Sequence, residues 1–155
     1  MKNRFIRSAT HEALATKDGR PTEELKKIYV KLAEGGVGAI ITGLAAIQKN
    51  GKIPDDKMLM IDRDDVIEDY KSLTDEIRKY DCRTILQVAH SGSQTSSKSL
   101  GEKKVAPSAI MNKIYRDSIP KELSNDDIEQ IISNFVKAII RADKAGFDGV
   151  QLHGA

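Results

Sequence analysis

Two spacings of hydrophobic residues alternate along the chain, and they predict strands and helices in turn. Four short runs are typical of strands in a parallel sheet: residues 5–9, 37–43, 84–88 and 149–152. Three longer segments carry apolar residues three and four positions apart, which predicts amphipathic helices: residues 22–35, about 64–80, and 124–146.

Recognisable start and stop residues flank the first and third helices. Thr22 is the expected N-cap of the first helix, with two acids next to it at the positive end of the helix dipole, and Gly35-Gly36 ends it. Ser124 and Asp127 form a variant capping box for the third helix. The apolar face of that helix is expected to consist of Ile128, Ile131, Ile132, Phe135, Ile139 and Ala142.

Two polar stretches interrupt the pattern. The first follows the second strand as far as about Arg63 and contains the turn signal at 49–52. The second, residues 91–123, is rich in Ser, Gly, Lys and Pro and is predicted to be a long loop. Loops of this length within a compact domain are usually functional or mobile.

The resulting order, β-α-β-α-β-α-β, predicts an α/β fold with parallel strands joined by right-handed crossovers. An open doubly wound sheet and a (β/α)8 barrel both fit this order. The first strand leads into Ser8-Ala9-Thr10-His11-Glu12 instead of G-x-G-x-x-G, which removes the main support for a dinucleotide fold. Four strands and three helices are half a barrel, and 155 residues fall short of the roughly 250 that a whole one needs.

Composition narrows the class of protein. A net charge of +2 and dispersed lysines argue against nucleic acid and against an anionic membrane surface. No apolar run approaches the roughly 18 residues of a membrane span. One cysteine, Cys82, excludes an internal disulfide, suits a cytoplasmic location and is expected only to pack.

Polar residues stand out near the ends of the predicted strands. His11, His90 and His153 each follow a strand, at the end where parallel α/β folds bind ligands. Gln87 and Gln151 interrupt apolar strands, and a buried amide needs hydrogen-bond partners. These amides suit either a hydrated barrel interior or a flat heteroaromatic ligand. By alternation, Gln151 shares a face with Gly149 and His153, and Gln87 one with Ile85 and Ala89.

Other chemistries have weaker support. Three histidines at one rim allow a metal-dependent hydrolase, although no H-x-H and no close His/Asp pair lies on one strand. A serine hydrolase would lack its G-x-S-x-G turn, and a phosphate-binding Gly-rich loop would lack the Walker A sequence.

Five ordered segments together resemble the old yellow enzyme family of FMN-dependent NADH:flavin oxidoreductases. They are NRFIRSAT at 3–10, GGVGAIITG at 35–43, QVAHSG at 87–92, APSA at 106–109 and AGFDGVQLHGA at 145–155. Within the family, the sequence is most similar to the branch containing trimethylamine dehydrogenase and dienoyl-CoA reductase-like enzymes.

The resemblance implies a TIM barrel with FMN over the C-terminal ends of the strands, and NADH or NADPH as reductant. Ser8, Ala9, Thr10 and His11 would border the flavin, Gly43 and Leu44 would pass beside it, and Gln87 would bond its pyrimidine edge. His153, and with it His11, would be the catalytic candidates. His153 matches the first of two donors that orient an activated alkene or enoyl substrate for hydride transfer.

The sequence also departs from the family pattern. His11 stands where other members place Cys, Thr or Trp, and Ser93 where they place Arg. The second substrate donor would come one position after Ala155. The resemblance therefore implies that residues 1–155 are a single domain, the N-terminal half of the barrel, which alone does not turn over.

Unpaired strand edges lead us to expect a homo-oligomer or pairing with a complementing C-terminal half. A non-catalytic half-barrel that serves as an assembly or binding module is the alternative.

Overall fold

The computed structural model describes residues 1–154, and its regular elements follow the predicted order with several additions. The helices are α1 (Glu23–Glu34), α2 (Ile67–Arg78), the single turn α3 (Ser97–Leu100) and α4 (Asn125–Lys144). The strands are β1 (Ile6–Arg7), β2 (Ala39–Ile41), β3 (Ala45–Ala46), β4 (Leu59–Met60), β5 (Arg83–Ala89), β6 (Val105–Ala106), β7 (Lys121–Glu122) and β8 (Gly149–Leu152). Two 3₁₀ turns span Lys49–Gly51 and Asp64–Val66.

The main sheet is parallel and winds in one direction. β1 pairs with β2, β2 with β5 and β5 with β8, so the four strands that the sequence predicts lie side by side in chain order. The helices pack on one face only, because Leu86 and Val88 of β5 lie in the same core cluster as Tyr29, Tyr70 and Ala138. A doubly wound sheet would reverse its strand order and bury both faces. The sheet is therefore a segment of a barrel wall, as one of the two predicted architectures requires.

The cap residues act as the sequence predicts. The Thr22 hydroxyl accepts a hydrogen bond from the Leu25 N–H at 3.3 Å. Gly36, just after α1, has a φ of +95°, a conformation that favours glycine. Ser124 and Asp127 form both bonds of the capping box at the start of α4.

β2 and β3 are two parts of one interrupted strand. Ile41 is opposite Ile85 and Ala45 is opposite Val88, so four steps along this strand match three along β5. The extra residue makes a bulge at 42–44, where the prediction had a continuous strand to residue 43. Bulges occur often beside active sites, because they re-aim side chains at a sheet edge.

Both polar stretches contain more regular structure than the sequence predicts. The first holds β3, the Lys49–Gly51 turn and β4, which pairs with β3. The second holds α3 and a parallel pair of β6 with β7. These elements are two to four residues long, too short to show either hydrophobic period.

The prediction for the apolar face of α4 is partly wrong. Ala138 and Ala142 are buried, and Ile131 and Phe135 pack against the core. Ile128, Ile132 and Ile139 are exposed, together with Val136 and Ile140. α4 therefore has a second apolar face, and no described element covers it. Periodicity finds apolar positions but cannot tell which of two apolar faces meets the core.

Cys82 packs in the core, where burial raises the pKa of its thiol. Within residues 1–154, the structure contains no helix that is both long and apolar enough to cross a membrane.

Candidate functional site

A hydrogen-bonded pair of glutamines lies on the face of the sheet away from the helices. Gln87 of β5 is directly opposite Gln151 of β8, and its amide donates to the Gln151 carbonyl oxygen at 2.7 Å. Gln87 is half-buried and Gln151 is exposed. The two residues share one face because the register of β5 against β8 puts them opposite each other.

The amide pair keeps hydrogen-bonding capacity for a ligand. Among residues 1–154, neither the Gln87 carbonyl oxygen nor the Gln151 amide nitrogen has another hydrogen bond. Reversing both amides would again leave one acceptor and one donor, so this conclusion does not depend on how they are oriented. Adjacent donor and acceptor groups suit the edge of a flat heteroaromatic ring. An FMN pyrimidine edge, with its N–H between two carbonyls, fits this arrangement.

His153 follows β8 directly. Its backbone N–H donates to the Val88 carbonyl at 3.0 Å, which extends the β5–β8 ladder by one residue. Its position two residues after Gln151 puts it on the same face, nearer the C-terminal rim. His153 is exposed, and it takes part in a further interaction.

The bulge at Gly43 is held by a buried polar network. Its N–H donates to the Tyr29 hydroxyl at 2.9 Å, and that hydroxyl donates to the Glu12 carboxylate at 2.9 Å. A Cβ at Gly43 would lie 2.6 Å from both Glu12 Oε2 and the Thr10 carbonyl oxygen. Glycine is therefore required for space. Burial, with the Glu12 charge beside it, raises the pKa of Tyr29 far above its usual value and keeps the hydroxyl protonated.

Thr42 closes the ladder across the bulge. Its buried hydroxyl accepts the Gln87 N–H at 3.3 Å and donates to the Gly43 carbonyl at 3.0 Å. The side chain thus replaces the main-chain acceptor that the bulge removes. Leu44 packs with Ala46, Met58 and Met60 in a separate small cluster.

The segment that follows β1 runs along this network. Ser8 and Thr10 are exposed and Ala9 is half-buried. Arg7 donates to the Thr10 hydroxyl and pairs with Glu12 at 3.4 Å. The Glu12 carboxylate is thereby bonded from two sides, which fixes the backbone that lies between these residues.

His11 is bonded to Asp55 and makes no described hydrogen bond to the Gln87–Gln151 pair. Its Nε2 lies 2.7 Å from Asp55 Oδ2, and this bond holds the pKa of Asp55 below its usual value. His11 also lines a cavity of about 10 Å³ with Gly43 and Leu44, too small for a ligand. The structure therefore places the predicted site residues His11, Gly43 and Leu44 together. It also bonds His11 to Asp55, a carboxylate that was not predicted.

His90 is in a third environment. Its Nδ1 accepts the Gly92 N–H at 3.0 Å, and its Nε2 lies 3.2 Å from the Gln48 amide. Gly51 packs against the ring, where an added Cβ would be 2.8 Å from the His90 Cδ2. Burial lowers the pKa of His90. These contacts describe a neutral, packed histidine.

The residues that would form a metal centre are not grouped. Across residues 1–154, no set of three or more His, Cys, Asp or Glu side chains is arranged to hold a metal ion. The histidines instead have separate partners, Asp55 for His11 and Gln48 for His90. The hydrolase alternative therefore gains no geometric support.

Sequence reasoning missed Glu12, Tyr29, Thr42 and Asp55 as parts of the site. Tyr29 lies in the helix predicted at 22–35 and fits its apolar spacing, although a buried tyrosine hydroxyl usually needs a partner. Glu12 and Asp55 carried no periodic signal. Only the fold brings them within bonding distance of residues 29 and 11.

Comparison with known proteins gives one family and one fold. The sequence profile described as the NADH:flavin oxidoreductase / NADH oxidase family matches residues 1–155. An NADH oxidase of Thermoanaerobacter brockii is 34% identical over 160 aligned residues, which cover 100% of this chain and 24% of that protein. An NADPH dehydrogenase of Clostridium acetobutylicum is 40% identical over 127 residues, which cover 82% and 36%.

Among solved structures, an old yellow enzyme homologue from Zymomonas mobilis superimposes with a TM-score of 0.88 at 28% identity. The match covers 98% of this chain and 44% of that one. The chain thus spans between about a quarter and just under half of these relatives.

Proposed function

The chain belongs to the NADH:flavin oxidoreductase / NADH oxidase family, and we propose that residues 1–155 form the N-terminal half of an FMN-binding TIM barrel. In this proposal the complete barrel is an FMN-dependent, NAD(P)H-consuming ene-reductase. The parallel, singly wound sheet and the partial coverage of the relatives support the division into halves. The one buried thiol agrees with a cytoplasmic location.

The Gln87–Gln151 pair carries the proposal. It is a polar group on the open face of the sheet, opposite the face that the helices cover. An amide pair that keeps one acceptor and one donor forms the most hydrogen bonds with a ligand that offers a donor beside an acceptor. Gln87 is thus assigned to the pyrimidine edge of FMN, and Gln151 supports it.

The bulge and the segment after β1 would hold the ring in place. The Glu12–Tyr29 network fixes the main chain of Thr10 and Gly43, so residues 8–11 and 43–44 form one preset edge. Preset groups bind without an ordering cost at the moment of binding. Ser8, Ala9, Thr10, His11, Gly43 and Leu44 are the proposed cofactor contacts.

His153 is the proposed substrate donor, because it lies beyond Gln151 on the same face. Its imidazole would polarise the electron-withdrawing carbonyl of an activated alkene and orient its β-carbon. Bound FMN would supply the redox chemistry, taking a hydride from NADH or NADPH and delivering it to that carbon. The NADH oxidase and NADPH dehydrogenase relatives support a nicotinamide reductant without choosing between the two. His11, held by Asp55, is the second catalytic candidate and would tune the flavin.

Flavin binding tests the proposal directly. The natural gene product is expected to be yellow, and Gln87→Leu should weaken FMN binding by about tenfold, equivalent to one strong hydrogen bond. Gln94→Leu, an exposed glutamine in the loop, is the matched control and should bind like the wild type. Fluorescence titration of FMN measures both. A colourless protein that takes up no FMN would contradict the function, and equal affinities for the two variants would contradict the role of Gln87.

An assembly module is the second candidate, and the second apolar face of α4 favours it. Ile128, Ile132, Val136, Ile139 and Ile140 are exposed, and β8 has a free edge among the described residues. A complementing C-terminal half or a second copy of the chain would cover this surface. Light scattering of the natural gene product measures its assembly. A folded protein with no flavin and a self-associated mass would favour this candidate.

A further inference from the structure

A fully buried lysine lies within the long segment that follows β5. The Lys104 side chain has no solvent exposure, which is rare for lysine unless its charge is paired. Its ammonium bonds Asp117 Oδ1 at 2.9 Å, the Thr95 carbonyl at 3.4 Å and the Tyr115 carbonyl. The three donors of one side chain therefore join parts of the chain that are up to 22 residues apart.

The partners of Lys104 are themselves bonded to one another. Asp117 also accepts from the Ser96 hydroxyl at 3.0 Å and the Lys98 N–H at 3.1 Å. The Ser97 hydroxyl accepts the Lys104 N–H at 3.0 Å and lies 2.6 Å from the Ser118 hydroxyl. The segment 95–121 is thus organised around one ammonium group, and its buried apolar residues Leu100, Val105 and Ala106 belong to neither core cluster.

This segment carries three exposed apolar residues at its turn. Ile110 and Ile114 are 72% and 76% exposed, and Met111 is 41% exposed. We call these three residues the tip. Asn112 folds the tip by accepting the N–H groups of Ile114 and Tyr115 at 2.8 and 2.9 Å.

The tip is attached to the C-terminal rim of the sheet. The Asn112 amide donates to the Ser93 hydroxyl at 3.3 Å, and Ser93 follows the end of β5 by four residues. Tyr115, whose carbonyl holds the Lys104 ammonium, is the next link from Asn112. A chain of bonds therefore runs from Lys104 through Tyr115 and Asn112, which flank the tip, to Ser93, four residues past the strand that carries Gln87.

We propose that Lys104 is a positioning residue whose ammonium holds the tip as a fixed apolar wall at the substrate end of the sheet. The inference rests on the proposed function and deepens it. An apolar wall at this rim favours activated alkenes with a large apolar substituent over small ones, since contact with the tip removes that substituent from water. Lys104 itself does not touch substrate.

Hydrogen exchange of the natural gene product tests the positioning role without flavin or substrate. Lys104→Met should raise the amide exchange rates in 95–121 by about ten- to a hundredfold, because the segment loses a charged hydrogen-bond centre. The exchange rates in β5 and α4 should not change. Lys103→Met, the exposed neighbour, is the control and should exchange like the wild type. Asp117→Asn, which removes the charge but keeps the shape, should give a smaller increase in the same segment. Unchanged exchange in 95–121, or an equal increase throughout the domain, would overturn the positioning role.

Steady-state kinetics test the apolar wall. Lys104→Met should raise KM about tenfold for an alkene with a bulky apolar substituent and leave kcat within about twofold, because a binding contact is lost. KM for a small alkene should change less. An equal change for both alkenes, or a loss confined to kcat, would overturn the wall. A protein that binds no flavin contradicts the proposed function and the wall with it, while hydrogen exchange still decides the role of Lys104.

Discussion

The two ends of the barrel segment differ in how completely their polar groups are satisfied. At the β1–β2 end, Glu12, Tyr29 and Gly43 form a closed network whose carboxylate is 8% exposed. At the β8 end, Gln151 and His153 are exposed and Leu152 shows 61% of its surface. The polar network at the first end is closed within residues 1–154, although Phe5 and Ile6 of the neighbouring edge are exposed, whereas the second end leaves polar groups open as well.

The two ends therefore differ in role: the closed end fixes the main chain in advance, and the open end keeps hydrogen-bonding groups for a ligand. A closed network fixes the main chain before any ligand arrives, and it contributes to the free energy of unfolding. An open set of amides contributes little to stability and keeps its hydrogen bonds for a ligand. Substitutions at the closed end should therefore reduce stability, and substitutions at the open end should reduce binding.

The largest effect is expected at Gly43. Gly43→Ala brings a Cβ within 2.6 Å of a main-chain carbonyl and a nearly buried carboxylate, and neither can move without breaking the network. We expect the free energy of unfolding to fall by about 3 kcal/mol, the upper part of the range for overpacking. Urea unfolding followed by circular dichroism measures this loss.

Gly149→Ala is the control for Gly43→Ala. The nearest atom to its added Cβ is Ile85 Cγ1 at 3.9 Å, an ordinary contact. Its stability should stay within about 0.5 kcal/mol of the wild type. If the two substitutions cost the same, the closed end is not the more tightly packed one.

Tyr29→Phe should have the next largest effect. It removes one hydroxyl and leaves the Gly43 N–H without its acceptor and Glu12 without one donor. The expected loss is about 2 kcal/mol, because a buried group left without a partner costs its desolvation. Tyr80→Phe, at a half-buried tyrosine whose hydroxyl has no described hydrogen bond, should cost less than about 0.5 kcal/mol. Equal midpoints in urea for these two variants would show that the network does not stabilise the fold.

The same comparison shows how far sequence can predict this molecule. The strand and helix order and the caps were predictable, since periodicity and cap chemistry are local. Strand alternation put Gln151 on one face with His153, but the pairing of Gln87 with Gln151 also depends on the register of β5 against β8. The bulge at 42–44 was not predictable, because it appears only when the register against β5 is known.

The closed network was hidden for the same reason. Residues 12, 29 and 43 are far apart in sequence, and each has a simpler local interpretation as a loop acid, a helix-stripe aromatic and a strand glycine. The second apolar face of α4 was missed for a different reason, because its sequence signal is strong and not weak. Its isoleucines gave a strong helical pattern, and pattern alone assigned them to the core.

Acid should loosen the β8 end before the β1–β2 end. Burial raises the pKa of Asp148, but bonds from the Thr84 N–H at 2.9 Å and Arg83 at 2.8 Å outweigh it and hold that pKa below its usual value. A depressed pKa stabilises the fold above the unfolded-state value of about 4, and this contribution is lost as pH falls through the native pKa.

Hydrogen exchange between pH 6 and pH 3 measures this loss. Protection of Gly149–Leu152 should fall relative to Ala39–Ile41, since Asp148 joins β8 to β5. Asp148→Asn keeps a side chain that can accept the Thr84 N–H and should remove most of the pH dependence. A wild-type ratio that stays constant over this range would show that Asp148 does not hold the strand.

The smallest effect on stability is expected at Gln151. Gln151→Leu removes the acceptor of the Gln87 amide, but both side chains reach solvent, so water replaces the lost bond. The free energy of unfolding should change by less than about 0.5 kcal/mol. Under the proposed function, FMN affinity should nevertheless fall, because the Gln87 amide loses the partner that orients it. Urea unfolding and FMN titration of the same variant test both halves of the comparison. A variant that loses stability and keeps its FMN affinity would contradict the comparison, because the β8 end would then stabilise the fold and not bind the ligand.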